Sequence, residues 1–143
     1  MVRRLAVGEI MSRPVITLAE DDTLWEARSC MERGRVRHLP VVRGTTLVGL
    51  VTHRDLLQAS FSLFADGDSR QEHRVLASVP VRELMHDAVA VNPETPARQA
   101  ATLMLERKFG CLPVVDGTGH LVGIITEADF LTLAVRMLAA IEP

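Results

Sequence analysis

Two spacings alternate along this chain. Leu24, Ala27 and Met31 recur at helical intervals, and so do Ala100, Leu103 and Met104 much further on. After each set come short apolar runs, 39–42 with 47–51 and 112–115 with 121–125, whose lengths suit strands. Gly44 in the first pair, and Gly117 with Gly119 in the second, predict hairpin turns. Ahead of each helix the pattern predicts a short helical turn ending at Met11 or Met85, then a brief strand over 15–17 or 89–91. The first helix starts near Thr23 with Glu26 three residues on, the pattern of a capping box. Its counterpart starts at Thr95, with Pro96 at the first helical position. A closing helix follows Thr52 in one case and Thr126 in the other. Each half therefore reads β-α-β-β-α, which puts the chain in the α+β class.

The halves are copies. Val7-Gly8-Glu9-Ile10-Met11 answers to Val81-Arg82-Glu83-Leu84-Met85 at an offset of 74, and Leu39-Pro40-Val41-Val42 to Leu112-Pro113-Val114-Val115 at 73. Leu47-Val48-Gly49 and Leu121-Val122-Gly123 return to 74, with both changes of offset in predicted loops. A half of about 50 residues has a marginal core of its own. The two should bury apolar faces against each other around an approximate two-fold axis. The expected layout is a repeat at 7–57, a connector at 58–80, a second repeat at 81–134, and the end of the closing helix at 135–143. Within the connector, Ala65-Asp66-Gly67-Asp68-Ser69 reads as a turn, and 70–77 as one or two helical turns.

Composition narrows the functional classes. Apolar residues make up 48% and charged ones 24%, which describes a folded globular protein. A net charge of −2 gives no reason to expect nucleic acid, and the five aromatic residues, Trp25 and four Phe, are not interleaved with a basic run. Cys30 and Cys111 form no CxxC pattern, so both read as free thiols. The first six residues lack the apolar stretch of a signal peptide. The apolar segment 130–141 is too short to span a bilayer and is broken by Arg136. The expectation is a cytoplasmic protein with no membrane association.

Each copy carries a Gly-x-x-Thr-x-x-Asp string at the hand-over from strand to closing helix: Gly49-Leu50-Val51-Thr52-His53-Arg54-Asp55 and Gly123-Ile124-Ile125-Thr126-Glu127-Ala128-Asp129. With Glu-Ile-Met and Glu-Leu-Met in the opening turns, and His38-Leu39-Pro40-Val41-Val42 and Cys111-Leu112-Pro113-Val114-Val115, the chain resembles a tandem pair of CBS (cystathionine-β-synthase) domains, a Bateman module. The resemblance covers residues 7–57 and 81–134, and no catalytic or DNA-binding motif accompanies the pair. It implies a stand-alone, non-catalytic regulator that binds AMP, ADP, ATP, S-adenosylmethionine or a cyclic dinucleotide in clefts between the repeats. It also implies a homodimer through the closing helices and an effector protein that reads the signal.

The residue chemistry is compatible with that implication. A carboxylate accepts from both hydroxyls of a ribose, and a threonine hydroxyl donates or accepts beside it. By the resemblance, Asp55 with Thr52, and Asp129 with Thr126, face the ribose. Arg37, His38, His53 and Arg54 are the candidates for the phosphate end, since an arginine fork suits phosphate. Open amides at the start of the closing helix would add donors. Val15, Ile16, Val89 and Ala90 would form the slot for a base. Gly49 and Gly123 either let a ligand lie against the strand or mark a bulge. A structural alternative stands beside this reading, because Thr-x-x-Asp at a helix start is itself a capping box. The copies also differ in charge: basic and acidic residues balance seven to seven across 7–57, but stand at four to seven across 81–131. A phosphorylated ligand should accordingly prefer the site built on Asp55.

No Walker loop, HExxH or Gly-x-Ser-x-Gly string occurs. The five histidines show no metal-ligand spacing, so neither a metal nor an obligatory cofactor is expected. The competing reading is a scaffold or dimerisation module with no ligand. It draws on Leu56, Leu57, Phe61, Leu63 and Phe64, and on Phe130, Leu131, Val135, Met137, Leu138 and Ile141, which exceed one helical stripe.

Overall fold

The structure, a computed structural model, describes residues 4–63 and 69–142. It contains α1 (Val7–Ile10), β1 (Leu18–Ala19), α2 (Leu24–Gly34), β2 (His38–Arg43), β3 (Thr46–Thr52), α3 (His53–Leu63) and α4 (Ser69–Leu76). A 3₁₀ turn (Val81–Glu83) follows, then α5 (Ala97–Arg107), β4 (Cys111–Val115), β5 (Leu121–Thr126) and α6 (Glu127–Ile141). The α+β reading holds. The predicted turn at 65–69 lies, up to residue 68, outside the described residues. So do Phe64, the side chains of Phe61 and Leu63, and the first three residues of the chain.

The chain divides into two compact units: residues 16–88 form one, and residues 1–15 with 89–143 form the other. These units are not the sequence repeats. Each takes its hairpin and two long helices from one repeat and its opening turn from the other. In the first unit, β1 runs parallel to β2, which pairs antiparallel with β3. Val81, from the second opening turn, is fully buried there with Leu18, Leu24, Leu39, Val41 and Val51. In the second unit β4 pairs with β5, and Val7, from the first opening turn, is fully buried among Ala100, Met104, Leu112, Val114 and Ile125.

The exchange explains the glycines of the duplicated string. A Cβ on Gly49 would come within 2.7 Å of Met85 Sδ, and one on Gly123 would run into Met11 Sδ. Each glycine thus makes room for the methionine of the other repeat's opening turn, and no ligand is needed to account for it. The bulge reading also holds locally. Register shifts beside both glycines, since Val41 faces Gly49 while Val42 faces Leu47, and Val114 faces Gly123 while Val115 faces Leu121.

Other boundaries move by a few residues. The strand expected at 15–17 lies at Leu18–Ala19, and its counterpart at 89–91 shrinks to one bridge between Val91 and Val114. β-Branched residues favour a strand only where a partner runs alongside, and of residues 15–19 only Leu18 and Ala19 pair with β2. Thr23 caps α2 as expected, its hydroxyl oxygen accepting from the Glu26 N–H at 3.2 Å. Thr95 does not cap α5. Its hydroxyl accepts from the Asn92 N–H at 3.1 Å, and extended Pro96 (ψ 133°) becomes the boundary residue. The span expected as connector is more ordered than a linker: α3 carries on to Leu63, and Leu76 of α4 is 1% exposed in the first unit's core.

Both cysteines are free thiols. Cys111 is buried on β4, and burial pushes its thiol up from the ordinary 9.0 to about 12. Between those values the unfolded chain has lost the thiol proton while the folded chain keeps it. Stability therefore falls as pH rises through this window, with a slope approaching 1.4 kcal/mol per unit. Below pH 9 the group contributes no pH dependence. Urea melts from pH 8 to 11 should show the decline in the native chain and a flatter curve in Cys111→Val. Parallel curves would show that another group is responsible.

Candidate functional site

Two equivalent sites form, one in each unit. In the first, β3 ends at Thr52 and α3 begins at His53. The Thr52 N–H donates to Asp55 Oδ2 at 2.8 Å, and the Asp55 N–H donates to the Thr52 hydroxyl at 3.2 Å. The capping box is therefore real. It does not exhaust the carboxylate, because among the described residues nothing bonds Asp55 Oδ1. His86 stands beside it, with Nε2 3.2 Å from Oδ2, and the two side chains are 50% and 21% exposed. Reciprocal backbone bonds between His86 and Leu50, at 2.9 and 3.1 Å, hold that histidine against β3. Its Nδ1 lies 3.1 Å from the Asp87 carbonyl oxygen.

In the second site the Thr126 N–H donates to Asp129 Oδ2 at 2.9 Å, with the Thr126 hydroxyl at 3.4 Å. The other oxygen, Oδ1, accepts from the Ser12 hydroxyl at 2.7 Å. Ser12 is held against β5 by reciprocal backbone bonds with Ile124, at 2.8 and 3.1 Å. Ser12 and His86 are thus equivalent, each bringing a side chain from one repeat's opening turn to the aspartate of the other. Sequence reading missed both. They share the offset of 74 and both follow the methionine, but that signal becomes legible only once the turns are known to exchange.

The remaining candidates are only partly gathered. Arg37 and His53 line a cleft of about 520 Å³ with Arg28, Arg35 and an apolar floor that includes Met31 and Leu56. Thr52 and Asp55 are not among its lining residues. Arg54 is exposed and His38 half-buried. The amides expected to stay open are largely taken. The His53 N–H bonds the Arg37 carbonyl at 2.8 Å, and the Glu127 N–H bonds the Gly110 carbonyl at 3.3 Å. A helix start that continues directly from a hairpin finds acceptors in the loop ahead of the first strand, which a search for helix caps does not anticipate. Of the base-slot residues, Val15 and Ala90 are half-buried, while Ile16 and Val89 are 44% and 42% exposed. Ile16 belongs to the unit of Asp55, and Val15, Val89 and Ala90 to that of Asp129.

The exchange also revises the charge argument. Arg13 follows Ser12 on the Asp129 side, and Asp87 follows His86 on the Asp55 side. The contrast between His53 with Arg54 and Glu127 with Ala128 remains, but it is narrower than a count by repeats implies. Among the described residues no group of three or more His, Cys, Asp or Glu side chains could hold a metal. No helix among them is long and apolar enough to cross a membrane.

A duplicated α+β module, with one Thr-x-x-Asp helix start per compact unit and the opening turns exchanged, defines a class of tandem-repeat domain. The chain belongs to the CBS domain family, whose pattern matches it twice, at residues 7–62 and 81–136. It is 31% identical over 142 residues to a CBS domain-containing protein of Dictyostelium discoideum, covering 98% of each chain. It is 35% identical to inosine-5'-monophosphate dehydrogenase of Korarchaeum cryptofilum, over 82% of this chain but only 22% of that enzyme. Among solved structures, the protein named acetoin utilization protein AcuB of Vibrio cholerae matches with a TM-score of 0.82 and 36% identity, over 98% of this chain and 97% of that one. CBSX2 of Arabidopsis thaliana, solved in complex with AMP, matches at 0.78 and 29%, over 92% and 97%. The CBS domain pair of protein MJ0100, in complex with 5-methylthioadenosine and S-adenosyl-L-methionine, matches at 0.78 and 25%, over 94% and 99%.

Proposed function

We propose that this chain is a non-catalytic regulatory module that binds an adenosine-containing ligand, of the AMP, ADP or ATP type, at the aspartates Asp55 and Asp129. The observation that carries the reading is the open face of the Asp55 carboxylate: Oδ2 serves the helix cap and His86, and Oδ1 is available to a ribose diol. Thr52 and Thr126 flank the sugar, Arg37, His38, His53 and Arg54 serve the phosphate end, and Val15, Ile16, Val89 and Ala90 approach the base. CBS pairs solved with AMP and with S-adenosyl-L-methionine support the ligand class. Each site takes residues from both sequence repeats, so a ligand there would bias how the opening turns sit on the sheets. An effector protein would read that bias, provided the two states differ in affinity. We place the module in the cytoplasm as a homodimer.

The scaffold reading has one specific observation behind it. α6 has no buried residue, and Leu131, Val135, Leu138 and Ile141 are 53–76% exposed, as expected of a face that a second copy covers. Such a face serves either function. Thermal melts with AMP, ADP, ATP, S-adenosylmethionine and cyclic dinucleotides, each near ~1 mM, separate them. A rise of several degrees with one adenosine ligand is the expected result. A flat panel, with no nucleotide co-purified, would leave the Thr-x-x-Asp strings as helix caps and the chain as a scaffold.

A further inference from the structure

Building on that proposed nucleotide site, we infer that His86 sets its ligand specificity. As an imidazolium it offsets the Asp55 carboxylate, so the site takes a phosphorylated adenosine ligand more tightly as pH falls. The two ring nitrogens face two oxygens. Nε2 stands 3.2 Å from Asp55 Oδ2, and Nδ1 stands 3.1 Å from the Asp87 carbonyl oxygen. Both neighbours are acceptors only, since neither a carbonyl nor an ionised carboxylate has a proton to give. A neutral imidazole has one N–H and one lone pair, so it satisfies one oxygen and turns a lone pair on the other. Only the doubly protonated ring donates to both. The contact is built rather than incidental, because the His86 backbone is fixed on β3 by its bonds to Leu50 at 2.9 and 3.1 Å.

The charged groups around His86 are few. β3 has no titratable side chain between Thr46 and Thr52. α3 brings Asp55, while its His53 lines the cleft with Arg37 and its Arg54 is exposed. In the opening turn Arg82 pairs with Asp21, Glu83 is exposed, and Asp87 follows the histidine. An imidazole changes charge between about pH 5 and 8. Once neutral, the ring gives up one oxygen, and the Asp55 charge faces the ligand without its full offset. A ribose diol is indifferent to that, but a phosphate is repelled. The other site has no such device. Asp129 Oδ1 is filled by the neutral Ser12 hydroxyl at 2.7 Å, and among the described residues no cation pairs with Asp129. Asp55 instead keeps Oδ1 open for the sugar and carries its cation on Oδ2.

Calorimetric titration with AMP at about pH 6 and about pH 8 tests this, in an Asp129→Ala background so that one site is read. The ratio of affinities, low pH over high, should be about fivefold larger with His86 than with His86→Gln. Glutamine offers an N–H to Asp55 but no charge, so binding persists while its pH response flattens. The phosphate's own titration is common to both chains and cancels. His86→Ser, which copies Ser12, should behave as glutamine does, with native circular dichroism at both pH values. Adenosine, which has no phosphate, should give the same ratio in all three chains. The role of His86 is overturned if the AMP ratio survives both substitutions, or if adenosine and AMP respond alike. Absence of AMP binding at either pH overturns the nucleotide site itself, and the role of His86 with it.

Discussion

Alanine at Asp55 is expected to erase the rise in melting temperature that the proposed function predicts for the native chain with a saturating adenine nucleotide. A ligand at about 100 times its dissociation constant adds about 2.7 kcal/mol to the folded state, which is several degrees for a chain of this size. The carboxylate also caps α3 through the Thr52 N–H at 2.8 Å, so the variant loses about 1 kcal/mol before any ligand is added. The readout is therefore the difference between melts with and without nucleotide, taken within each variant. Asp129→Ala belongs beside it. Both Asp129 oxygens are already engaged, one by Ser12 at 2.7 Å and one by Thr126 at 2.9 Å. A larger loss at Asp55 is the expected outcome for a phosphorylated ligand. Equal losses from the two substitutions would sink the preference for the first site.

Leu112→Ala should lower the free energy of unfolding by about 2–5 kcal/mol, the range for a large side chain removed from a packed core. Leu112 is fully buried among Val7, Ala100, Met104, Val114 and Ile125. It lies on β4, which pairs with β5, and β5 ends in Thr126 and holds Ser12 by backbone bonds. Loosening this core should therefore weaken ligand binding at Asp129 as well. Leu105→Ala is the control, since Leu105 is 81% exposed and its loss should stay within about 0.5 kcal/mol. Urea denaturation of both variants checks the pair, and comparable losses would show that the burial assigned to Leu112 is wrong.

Elements and chemistry were legible from residues 24, 27 and 31 and their counterparts because helical and strand periodicities are short-range. The same holds for Thr52 and Asp55, three residues apart, whose mutual hydrogen bonds need only a helix start. Strand edges were less legible. Val15 and Ile16 have the composition of a strand, yet the backbone partner is supplied at Leu18 and Ala19 by β2, which is distant in sequence.

By itself, the sequence determined that this protein is a duplicated α+β chain of the CBS domain type, with an aspartate and a threonine at each closing helix. It could not determine which opening turn belongs to which hairpin. Met11 and Met85 are equivalent, and so are Gly49 and Gly123, so either pairing satisfies the same complementarity of a long side chain over a missing one. Only the tertiary structure decided it, seating Met85 on Gly49 and Met11 on Gly123. That decision brought His86 to Asp55 and Ser12 to Asp129. A repeated sequence is degenerate for contacts within and between its copies, and only the path of the chain in three dimensions lifts the degeneracy.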